Sequence, residues 1–464
     1  MENVERDTTH VNVWCEMRIA IIIERANIGL GGAERSVFEL AKAISKLCPK
    51  VDILAATGRA NAENTHILCR DISGKRASYS TFERSLKRHL SENHYDIIHS
   101  VLPFDFADVY QPRGGTYAES ILRNAASYQN KFIESYKKLT AFANFRRTIL
   151  LRAERKLCQQ PNGPKIIAIS QYVAEQFKRH YAVSDERIEL IPNGIKIHTA
   201  IDTEPAVKPR LAPAPVAGAA SATGAEANAP RSFDFAQDRF TRGFDRLRSQ
   251  ILAQLGQHTR NEGRGTKDET QRSRDEPVLF LFVANNFRLK GLSVLIKAMH
   301  LAASQGTPRP FFIIVAGNGK MRKYLRLAKK LDPITAERKI YFLGHVMHIQ
   351  NVLSISDVAV LPTFYDPCSR YILEALAAGV PVITTSFNGA TDLFVDNRHG
   401  KVIDTPENVP ALAEAIRYFT ITENIQAASR AIAADNLKEK ISISRVAKQL
   451  MDVYEKIQKS KCKM

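Results

Sequence analysis

No stretch of this sequence is long and apolar enough to cross a membrane, and its first sixteen residues lack the apolar core of a secretory signal. A spanning helix needs about 18–20 consecutive apolar residues. The six cysteines are scattered and form no Cys-x-x-Cys pair, which favours reduced thiols over a disulfide framework. We therefore expect a cytoplasmic protein whose membrane contact, if any, is peripheral.

Acidic residues are also in short supply, since 48 Asp and Glu stand against 66 Lys and Arg and give a formal net charge of +18. Such an excess favours acidic partners, which include nucleic acid, anionic membranes and phosphorylated substrates, without choosing among them. At 464 residues the chain is long enough for two or three domains.

Short apolar runs alternate with helical patterns in both halves of the chain. Near-continuous Val, Ile and Leu is typical of strands covered on both faces. Strands that alternate with helices favour parallel α/β sheets, so the expected fold class is α/β with two doubly wound domains. The runs are 17–23, 51–56, 96–101, 165–170, 188–192, 278–284, 311–317, 340–344, 358–362 and 381–385.

Changes in composition predict the domain boundaries. An N-terminal domain is expected over 17–196 and a C-terminal domain over 276–440. Between them, 197–275 is rich first in Ala and Pro and then in charged residues. It cannot bury enough apolar surface to offset its ordering entropy, which predicts a largely disordered insertion. The last segment, 441–464, has the apolar period of a helix that can pack against the first domain.

The most informative segment follows the apolar run 358–362 and begins a helix. Its carboxylates, Asp366 and Glu374, are eight positions apart, the first in the loop and the second about one turn into the helix. Such a junction directs backbone N–H groups and the positive end of the helix dipole outward, where anions bind. Acids on both sides of the anion suit a nucleotide-sugar, in which a diphosphate lies between two hydroxyl-bearing sugars. The alternative is an ordinary helix start capped by Ser369.

Two further motifs follow the first strand of each half. Gly31 and Gly32 precede a helix, where glycine allows a ligand to approach the backbone closely. Glu34 stands where a dinucleotide fingerprint would need its last glycine, so NAD binding is only weakly indicated. Arg288 and Lys290 follow a strand at the edge where open α/β sheets bind ligands, and such a pair can hold a diphosphate. A tight turn and a solvated loop are the respective alternatives.

Two segments of the first domain complete the candidates. Arg113 lies in a glycine-containing loop after the strand 96–101 and either faces a transferred sugar or belongs to a surface loop. The segment 123–156 carries nine Lys and Arg against two acids, with aromatic residues between them. A basic, aromatic amphipathic helix fits an anionic membrane surface or an acidic acceptor, and a simply solvated helix is the alternative.

Together these segments resemble glycosyltransferase family 4, the retaining enzymes of the GT-B fold, and most closely the lipopolysaccharide core glucosyltransferase I group. The resemblance covers nearly the whole chain except its N-terminus and the insertion. It implies two Rossmann-like domains that face a central cleft. The motifs that follow the family order are 31–34, 191–194, 288–291, 366–374 and 379–382.

The implied activity is retaining transfer of a hexose from a nucleotide-sugar, with a UDP-sugar expected, to a saccharide of lipopolysaccharide core or another cell-surface glycan. Asp366 stands where the family usually has a Glu that contacts the donor sugar, and Glu374 matches the acid on the ribose. Arg288 and Lys290 match the basic pair on the diphosphate, where they stabilise the leaving group. Arg113 falls where a His is common, which alters the usual contact to the sugar.

The resemblance also implies the rest of the donor site. No Asp-x-Asp motif is present, which agrees with a metal-independent family site without a cofactor. The implied partners are the nucleotide-sugar, a saccharide or lipid-linked saccharide acceptor, and an anionic membrane surface through 123–156, with no nucleic acid. The remaining donor-binding candidates are Gly31 and Gly32 at the phosphate, the backbone N–H groups of Cys368 and Ser369 at the sugar hydroxyls, and His345 and Val346 at the base.

Other functions stay open at the level of sequence. A nucleotide-sugar epimerase or a glycogen-type synthase would share the architecture. A basic nucleic-acid-binding protein is suggested by charge alone, and no recognised binding motif supports it. RNA or DNA binding that weakens with salt would favour that class, whereas slow donor hydrolysis that is lost in Glu374→Ala would favour the transferase.

Overall fold

Two parallel sheets, one in each half of the chain, form the framework of the protein. The computed structural model describes residue 14 and the segments 17–59, 64–69, 76–197, 276–334, 339–346 and 348–462. Almost all of the expected insertion, 198–275, lies outside the described residues.

The N-terminal sheet has the strand order β3-β2-β1-β4-β5-β6-β7, and every neighbouring pair is parallel. Its strands are β1 (Ile19–Ala26), β2 (Val51–Gly58), β3 (Thr65–Ile67), β4 (Ile97–Ser100), β5 (Val109–Tyr110), β6 (Lys165–Ala168) and β7 (Ile188–Leu190). Its helices are α1 (Gly32–Ile44), α2 (Tyr79–Glu92), α3 (Tyr117–Ala126), α4 (Lys131–Leu139), α5 (Phe145–Gln159) and α6 (Gln171–Tyr181).

The C-terminal sheet has the order β10-β9-β8-β11-β12-β13 and is also parallel throughout. Its strands are β8 (Val278–Val283), β9 (Phe311–Ala316), β10 (Ile340–Gly344), β11 (Val358–Leu361), β12 (Val382–Thr385) and β13 (Gly400–Ile403). The helices are α7 (Leu292–Ser304), α8 (Met321–Leu331), α9 (Ile349–Leu353), α10 (Arg370–Ala377), α11 (Val409–Tyr418), α12 (Thr422–Ala434), α13 (Leu437–Lys440) and α14 (Ile443–Lys461).

The sheets form because their strands are apolar on both faces. Along β8, every residue from Val278 to Phe282 is buried, and all four residues of β11 are buried. Because parallel strands end at one edge, the loops after β8, β9, β10 and β11 gather at the same side of the second sheet. The strand order places β8 beside β11, which brings the loop of Lys290 next to the loop of Asp366.

The last helix, α14, packs against the N-terminal domain although it follows the C-terminal one. Its buried residues Val446, Leu450 and Met451 belong to the same apolar cluster as β1 and α1. The chain crosses between the domains at Ile195, which accepts the backbone N–H of Ile443 and donates its own to Ile441. The sequence pattern left the position of this helix open, and the structure decides it.

The sequence pattern predicted one amphipathic helix over the basic segment 123–156. The structure instead has three separate helices there. α3 ends at Ala126, and Gln129 adopts a left-handed conformation with φ of 55°. The separate helices α4 and α5 follow, joined by a short 3-10 turn. The break turns α4 outward, and none of its residues is buried.

Candidate active site

The loop between β11 and α10 holds the first half of the site. Lys290 donates its Nζ to Asp366 Oδ2 at 2.6 Å and to the carbonyl oxygen of Tyr365 at 2.8 Å. Both side chains of the ion pair are partly exposed, at 20% and 14%. Lys290 therefore lies beside the loop carboxylate, as the adjacency of β8 and β11 requires.

Two helix N-termini meet across the cleft at this point. A Cβ placed on Gly32, the first residue of α1, would lie 3.3 Å from Cδ of Arg370, the first residue of α10. Neither Gly31 nor Ser369, the N-cap residues, makes a side-chain capping hydrogen bond. Ser369 thus occupies the cap position without capping. Two uncapped positive helix ends at close range form a favourable environment for an anion.

Arg370 joins the two domains at this junction. Its Nη2 lies 2.9 Å from Glu39 Oε2 of α1 and 3.5 Å from Glu374 Oε1, one turn along its own helix. Its side chain is only 12% exposed, and its Nη1 has no hydrogen-bond partner among the described residues. The guanidinium therefore lies between a carboxylate of each domain.

Glu374 is buried at the cleft and keeps little contact with solvent. Burial raises the pKa of its carboxyl, while the charges of Arg370 and Arg35 oppose that rise. Its relative exposure is 9%. A carboxyl in this environment is held by few protein donors and can accept hydroxyl groups from a ligand.

Arg288 does not accompany Lys290. Its Nη1 donates to the carbonyl oxygen of Asn124 at 2.9 Å and to Ser127 Oγ, and its Nη2 donates to Asn124 Oδ1 at 3.1 Å. The guanidinium carbon lies 3.8 Å from the centre of the Tyr128 ring. Arg288 thus ties the end of α3 to the C-terminal domain, and in this structure it is committed to that contact.

Arg113 is partly buried in the loop that follows β5. Its Nη1 donates to Asn193 Oδ1 at 3.0 Å, and its Nε and Nη2 have no hydrogen-bond partner among the described residues. Burial and the charge of Arg370 lower the pKa of Arg113 to about 10. Two of its guanidinium nitrogens, Nε and Nη2, are therefore shielded from solvent although the residue lies in a loop.

The turn that follows Arg113 packs against the loop between β11 and α10 of the C-terminal domain. The hydroxyl of Tyr365 donates to the carbonyl oxygen of Gly114 at 2.8 Å. A Cβ on Gly115 would lie 2.2 Å from that same hydroxyl and 3.3 Å from Cγ of Pro367. With φ of 65°, Gly115 is required both by its backbone conformation and by the close approach.

Ser369 and Cys368, the remaining candidates in the loop before α10, both have protein surroundings that bear on their expected roles. The backbone N–H of Ser369 donates to Asn388 Oδ1 at 3.1 Å, so the expected contact with a sugar hydroxyl requires this bond to be exchanged. Cys368 is buried, and burial raises the pKa of its thiol well above the ordinary value. The thiol is therefore protonated and unreactive at neutral pH.

His345 and Val346 follow β10, two strands from β8, with His345 exposed and Val346 half-buried. The carbonyl oxygen of Gly344 accepts the backbone N–H of Gly317 at 2.7 Å, which joins this turn to the loop after β9. Both residues lie at the ligand edge of the sheet but apart from the Lys290–Asp366 pair.

Sequence reasoning missed Arg370, Glu39 and Asn193. Arg370 falls inside the recognised segment 366–374, so its charge at the start of a helix was a usable signal. Glu39 and Asn193 are distant in sequence from the residues they contact, and no local pattern identifies their partners. Among the residues that the structure describes, no group of three or more His, Cys, Asp or Glu side chains is arranged to hold a metal ion.

Comparison with protein families assigns both halves of the chain. Residues 30–199 match the family described as Glycosyltransferase Family 4, and residues 264–436 match the family described as Glycosyl transferases group 1. The first match covers the N-terminal sheet except β1, and the second covers the whole C-terminal sheet.

Curated relatives point in the same direction. The chain is 28% identical over 183 residues to an uncharacterised glycosyltransferase of Methanocaldococcus jannaschii, covering 39% of this chain and 45% of the relative. It is 21% identical over 344 residues to the lipopolysaccharide glucosyltransferase WaaG of Escherichia coli, covering 74% of this chain and 72% of that enzyme. It is 32% identical over 150 residues to a glycogen synthase of Mycobacterium tuberculosis, covering 32% of this chain and 35% of the synthase.

Solved structures share the architecture. A crystal structure of WaaG matches with a TM-score of 0.62 at 17% identity and covers 94% of this chain and 99% of its own. Anabaena HepE, solved with UDP and glucose, matches with a TM-score of 0.58 at 14% identity and covers 95% of this chain and all of its own. The chain therefore belongs to the glycosyltransferases of the GT-B fold, with a family 4 domain followed by a group 1 domain.

Proposed function

We propose that this protein is a retaining hexosyltransferase that uses a nucleotide-sugar, with UDP-glucose as the first candidate, and a saccharide acceptor of lipopolysaccharide core or another cell-surface glycan. The observation that carries the proposal is the meeting of two uncapped helix N-termini beside the Lys290–Asp366 pair. The likeness to a lipopolysaccharide glucosyltransferase and to a protein solved with UDP and glucose supports the choice of donor and acceptor.

In the proposed reaction the bond between the sugar C1 and the diphosphate oxygen breaks, and its electron pair stays on that oxygen. The acceptor hydroxyl attacks C1 on the same face, and its proton passes to the departing phosphate oxygen. Lys290 and the helix N-termini stabilise the negative charge that develops there, because they are in place before the reaction begins. Asp366 orients the donor sugar and Glu374 holds the ribose, so neither carboxylate is assigned the acid or base role of a glycosidase.

Lys290→Ala tests this function. We expect the rate of donor hydrolysis or transfer to fall by about 100- to 1000-fold, the usual loss when a preorganised stabilising group is removed. The fold should survive because the Lys290 side chain is partly exposed. The measurement is UDP release from UDP-glucose, with and without a lipopolysaccharide core acceptor.

Lys297→Ala is the matched control, since this lysine lies on the helix that follows Lys290 and its exposed Nζ contacts only Gln129 among the hydrogen bonds described. It should keep the wild-type rate. Wild-type turnover in the Lys290→Ala protein, with normal circular dichroism, would reject the proposed role.

We further propose that transfer needs no divalent metal. The positive charge for the leaving group is supplied by Lys290 and by backbone N–H groups, which do the work that a bound cation does in metal-dependent transferases. The rate of UDP release should therefore be the same in EDTA and in Mg²⁺. A rate that EDTA abolishes and Mg²⁺ restores would contradict this.

An anionic membrane surface is the third part of the proposal. Four large apolar or aromatic residues in this region are 61–89% exposed: Phe132, Tyr136, Leu139 and Phe145. Apolar side chains grouped on a surface in this way often mark an interaction site. Lys131 and Lys137 are exposed on the same helix. Aromatic and aliphatic side chains beside lysines are typical of surfaces that bind lipid headgroups. No helix among the described residues is long and apolar enough to span a membrane.

We propose that this surface, residues 131–147, rests on the inner face of the cytoplasmic membrane and brings the cleft to a lipid-linked acceptor. Co-sedimentation with vesicles of phosphatidylcholine, with and without phosphatidylglycerol, tests it. Binding should require the anionic lipid and weaken with salt, and the triple variant Phe132→Ser, Leu139→Ser, Phe145→Ser should lose it. Lys323→Gln with Arg326→Gln on α8 is the control for basic charge without exposed aromatics. Unchanged binding of the triple variant would exclude this surface.

A glycogen-type synthase is the second candidate, because the glycogen synthase likeness is the highest in identity among these relatives. UDP release from UDP-glucose, measured once with a polysaccharide primer and once with a lipopolysaccharide core acceptor, distinguishes the two functions. Stimulation by the primer alone would indicate a synthase.

A further inference from the structure

Two arginines, one from each domain, face the cleft. Arg113 follows β5 of the N-terminal domain, and Arg370 begins α10 of the C-terminal domain. Their charges interact, since the charge of Arg370 contributes to the lowered pKa of Arg113. Arg370 contacts the carboxylates of Glu39 and Glu374, whereas the described side-chain hydrogen bond of Arg113 goes to the neutral Asn193. Among the described contacts, the positive charge of Arg113 therefore has no carboxylate partner.

The unused donors of these two groups point to the same conclusion. Nε and Nη2 of Arg113 and Nη1 of Arg370 are buried and have no hydrogen-bond partner among the described residues. A buried charged donor without a partner is strongly unfavourable. Arginine presents its donors as a planar fork that matches the oxygens of a phosphate or carboxylate. Each of these three nitrogens is free to donate to an oxyanion.

The position of Arg370 suggests which oxyanion. Its Cδ faces Gly32, so it lies between the uncapped N-termini of α1 and α10, where the backbone also favours an anion. Arg288, the arginine expected on the diphosphate, is held by Asn124 and Ser127 at the end of α3. Of the expected basic pair, only Lys290 remains beside Asp366. The diphosphate site therefore lacks its expected arginine in this structure.

We propose that Arg113 and Arg370 together bind the diphosphate of the donor and take the place expected for Arg288. The inference rests on the proposed function and assigns new residues within it. Arg370 leaves Glu374 when the donor enters, because the ribose hydroxyls occupy that carboxylate, and its guanidinium then contacts the phosphate. The two arginines remain protonated throughout and neutralise charge on the leaving group from opposite walls of the cleft.

Binding of UDP, which has the diphosphate but no sugar, tests the proposal by calorimetry on the full chain. Arg370→Leu and Arg113→Gln are each expected to weaken UDP binding by at least tenfold. Arg370→Lys, which keeps the charge and loses the fork, should recover part of the affinity. Arg288→Gln is the decisive comparison and should change the affinity by less than threefold. Equal UDP binding by wild type, Arg113→Gln and Arg370→Leu, or a loss confined to Arg288→Gln, would overturn the assignment.

Arg113 is partly buried, so its variant is checked by circular dichroism and thermal unfolding. If Arg113→Gln does not fold, Arg370→Leu and Arg370→Lys decide the question, and the same two measurements check that the loss of the pair with Glu39 leaves each variant folded. Failure of the wild type to bind UDP, ADP or GDP would refute the proposed function itself. UDP binding by the wild type with no effect of either arginine would refute only this inference.

An anionic sugar is the alternative source of the oxyanion. UDP-glucuronate and UDP-glucose, compared in wild type and Arg113→Gln, distinguish it. A preference for the glucuronate that disappears in the variant, with UDP affinity unchanged, would assign Arg113 to a sugar carboxylate and would reject its place on the diphosphate.

Discussion

At the scale of single residues, burial changes the chemistry of side chains that look ordinary in sequence. Glu154 of α5 is fully buried and accepts hydrogen bonds from the hydroxyls of Tyr110 and Tyr181 and from the backbone N–H of Tyr117. Burial raises the pKa of its carboxyl to about 7, against the opposing effect of these donors. The sequence assigns this residue only to a basic helix and gives no sign of the shift.

Glu154→Gln should remove a pH dependence of stability. A carboxyl with a raised pKa in the folded state stabilises the fold when protonated, so its contribution is present below about pH 4.5 and is lost as pH rises through about 7. The free energy of unfolding of the wild type should therefore fall, relative to the variant, by up to roughly 3 kcal/mol over this window.

Urea unfolding of both proteins at pH 5 and pH 8 provides the measurement. Glu189→Gln, on the half-exposed strand β7, is the control and should follow the wild type at both values. Parallel pH profiles for Glu154→Gln and wild type would show that Glu154 is ionised in the folded protein across the range.

At the scale of elements, glycines set the angles at which loops leave the strands. Gly291 precedes α7 with φ of 81°, and a Cβ there would lie 1.9 Å from the carbonyl oxygen of Pro362. Gly306, after α7, has nearly the same φ of 80° and open space around its Cα. Comparing the two glycines separates the energetic cost of the left-handed backbone from the cost of a clash with Pro362, which directly follows β11.

Gly306→Ala should lower the free energy of unfolding by about 1 kcal/mol, the cost of a left-handed conformation for a residue with a Cβ. Gly291→Ala should lower it by clearly more, because the loop of Lys290 must also move away from Pro362. Thermal unfolding and UDP binding of both variants are the measurements. Equal destabilisation of the two proteins, with normal UDP binding, would mean that the approach to Pro362 is not a constraint.

The elements also show where sequence patterns succeed and fail. The buried runs of β8 and β11 were predictable because a two-sided apolar environment leaves a continuous pattern. The break in 123–156 was not, since Gln129 is a residue without a strong turn preference, and it lies where the end of α3 contacts the second domain. There Gln129 Nε2 donates to Ser293 Oγ at 2.8 Å.

At the scale of the whole molecule, the last helix completes the first domain. Val446, Leu450, Met451 and Tyr454 of α14 are fully buried or nearly so, and the hydroxyl of Tyr454 is hydrogen-bonded to Nδ1 of His99. Each such side chain stabilises the fold by about 1.5–3 kcal/mol. Together they are comparable with the typical net stability of a domain, about 5–15 kcal/mol.

Removal of 443–464 should therefore prevent the N-terminal domain from folding, although the deleted helix lies far from β1 in sequence. Removal of 462–464 alone should be harmless. Solubility, binding of a hydrophobic dye and far-ultraviolet circular dichroism compare the two truncations. Leu450→Ala provides a milder test, with an expected loss of about 2–5 kcal/mol. A soluble, cooperatively unfolding protein without α14 would contradict this account.

The sequence by itself determined the two parallel α/β domains and the edge of each sheet at which ligands bind, because continuous apolar runs define the strands and chain direction places their carboxyl ends together. It also placed Lys290 and Asp366 in loops at the ligand edge of the second sheet, and the strand order of the structure made them neighbours. Only the tertiary structure decided how charges meet across the cleft. Arg370 pairs with Glu39, 331 positions away in the chain, and Arg288 turns to Asn124, 164 positions away. Such pairs form only when the surfaces of two domains come together. The sequence near either residue therefore does not identify its partner in the other domain.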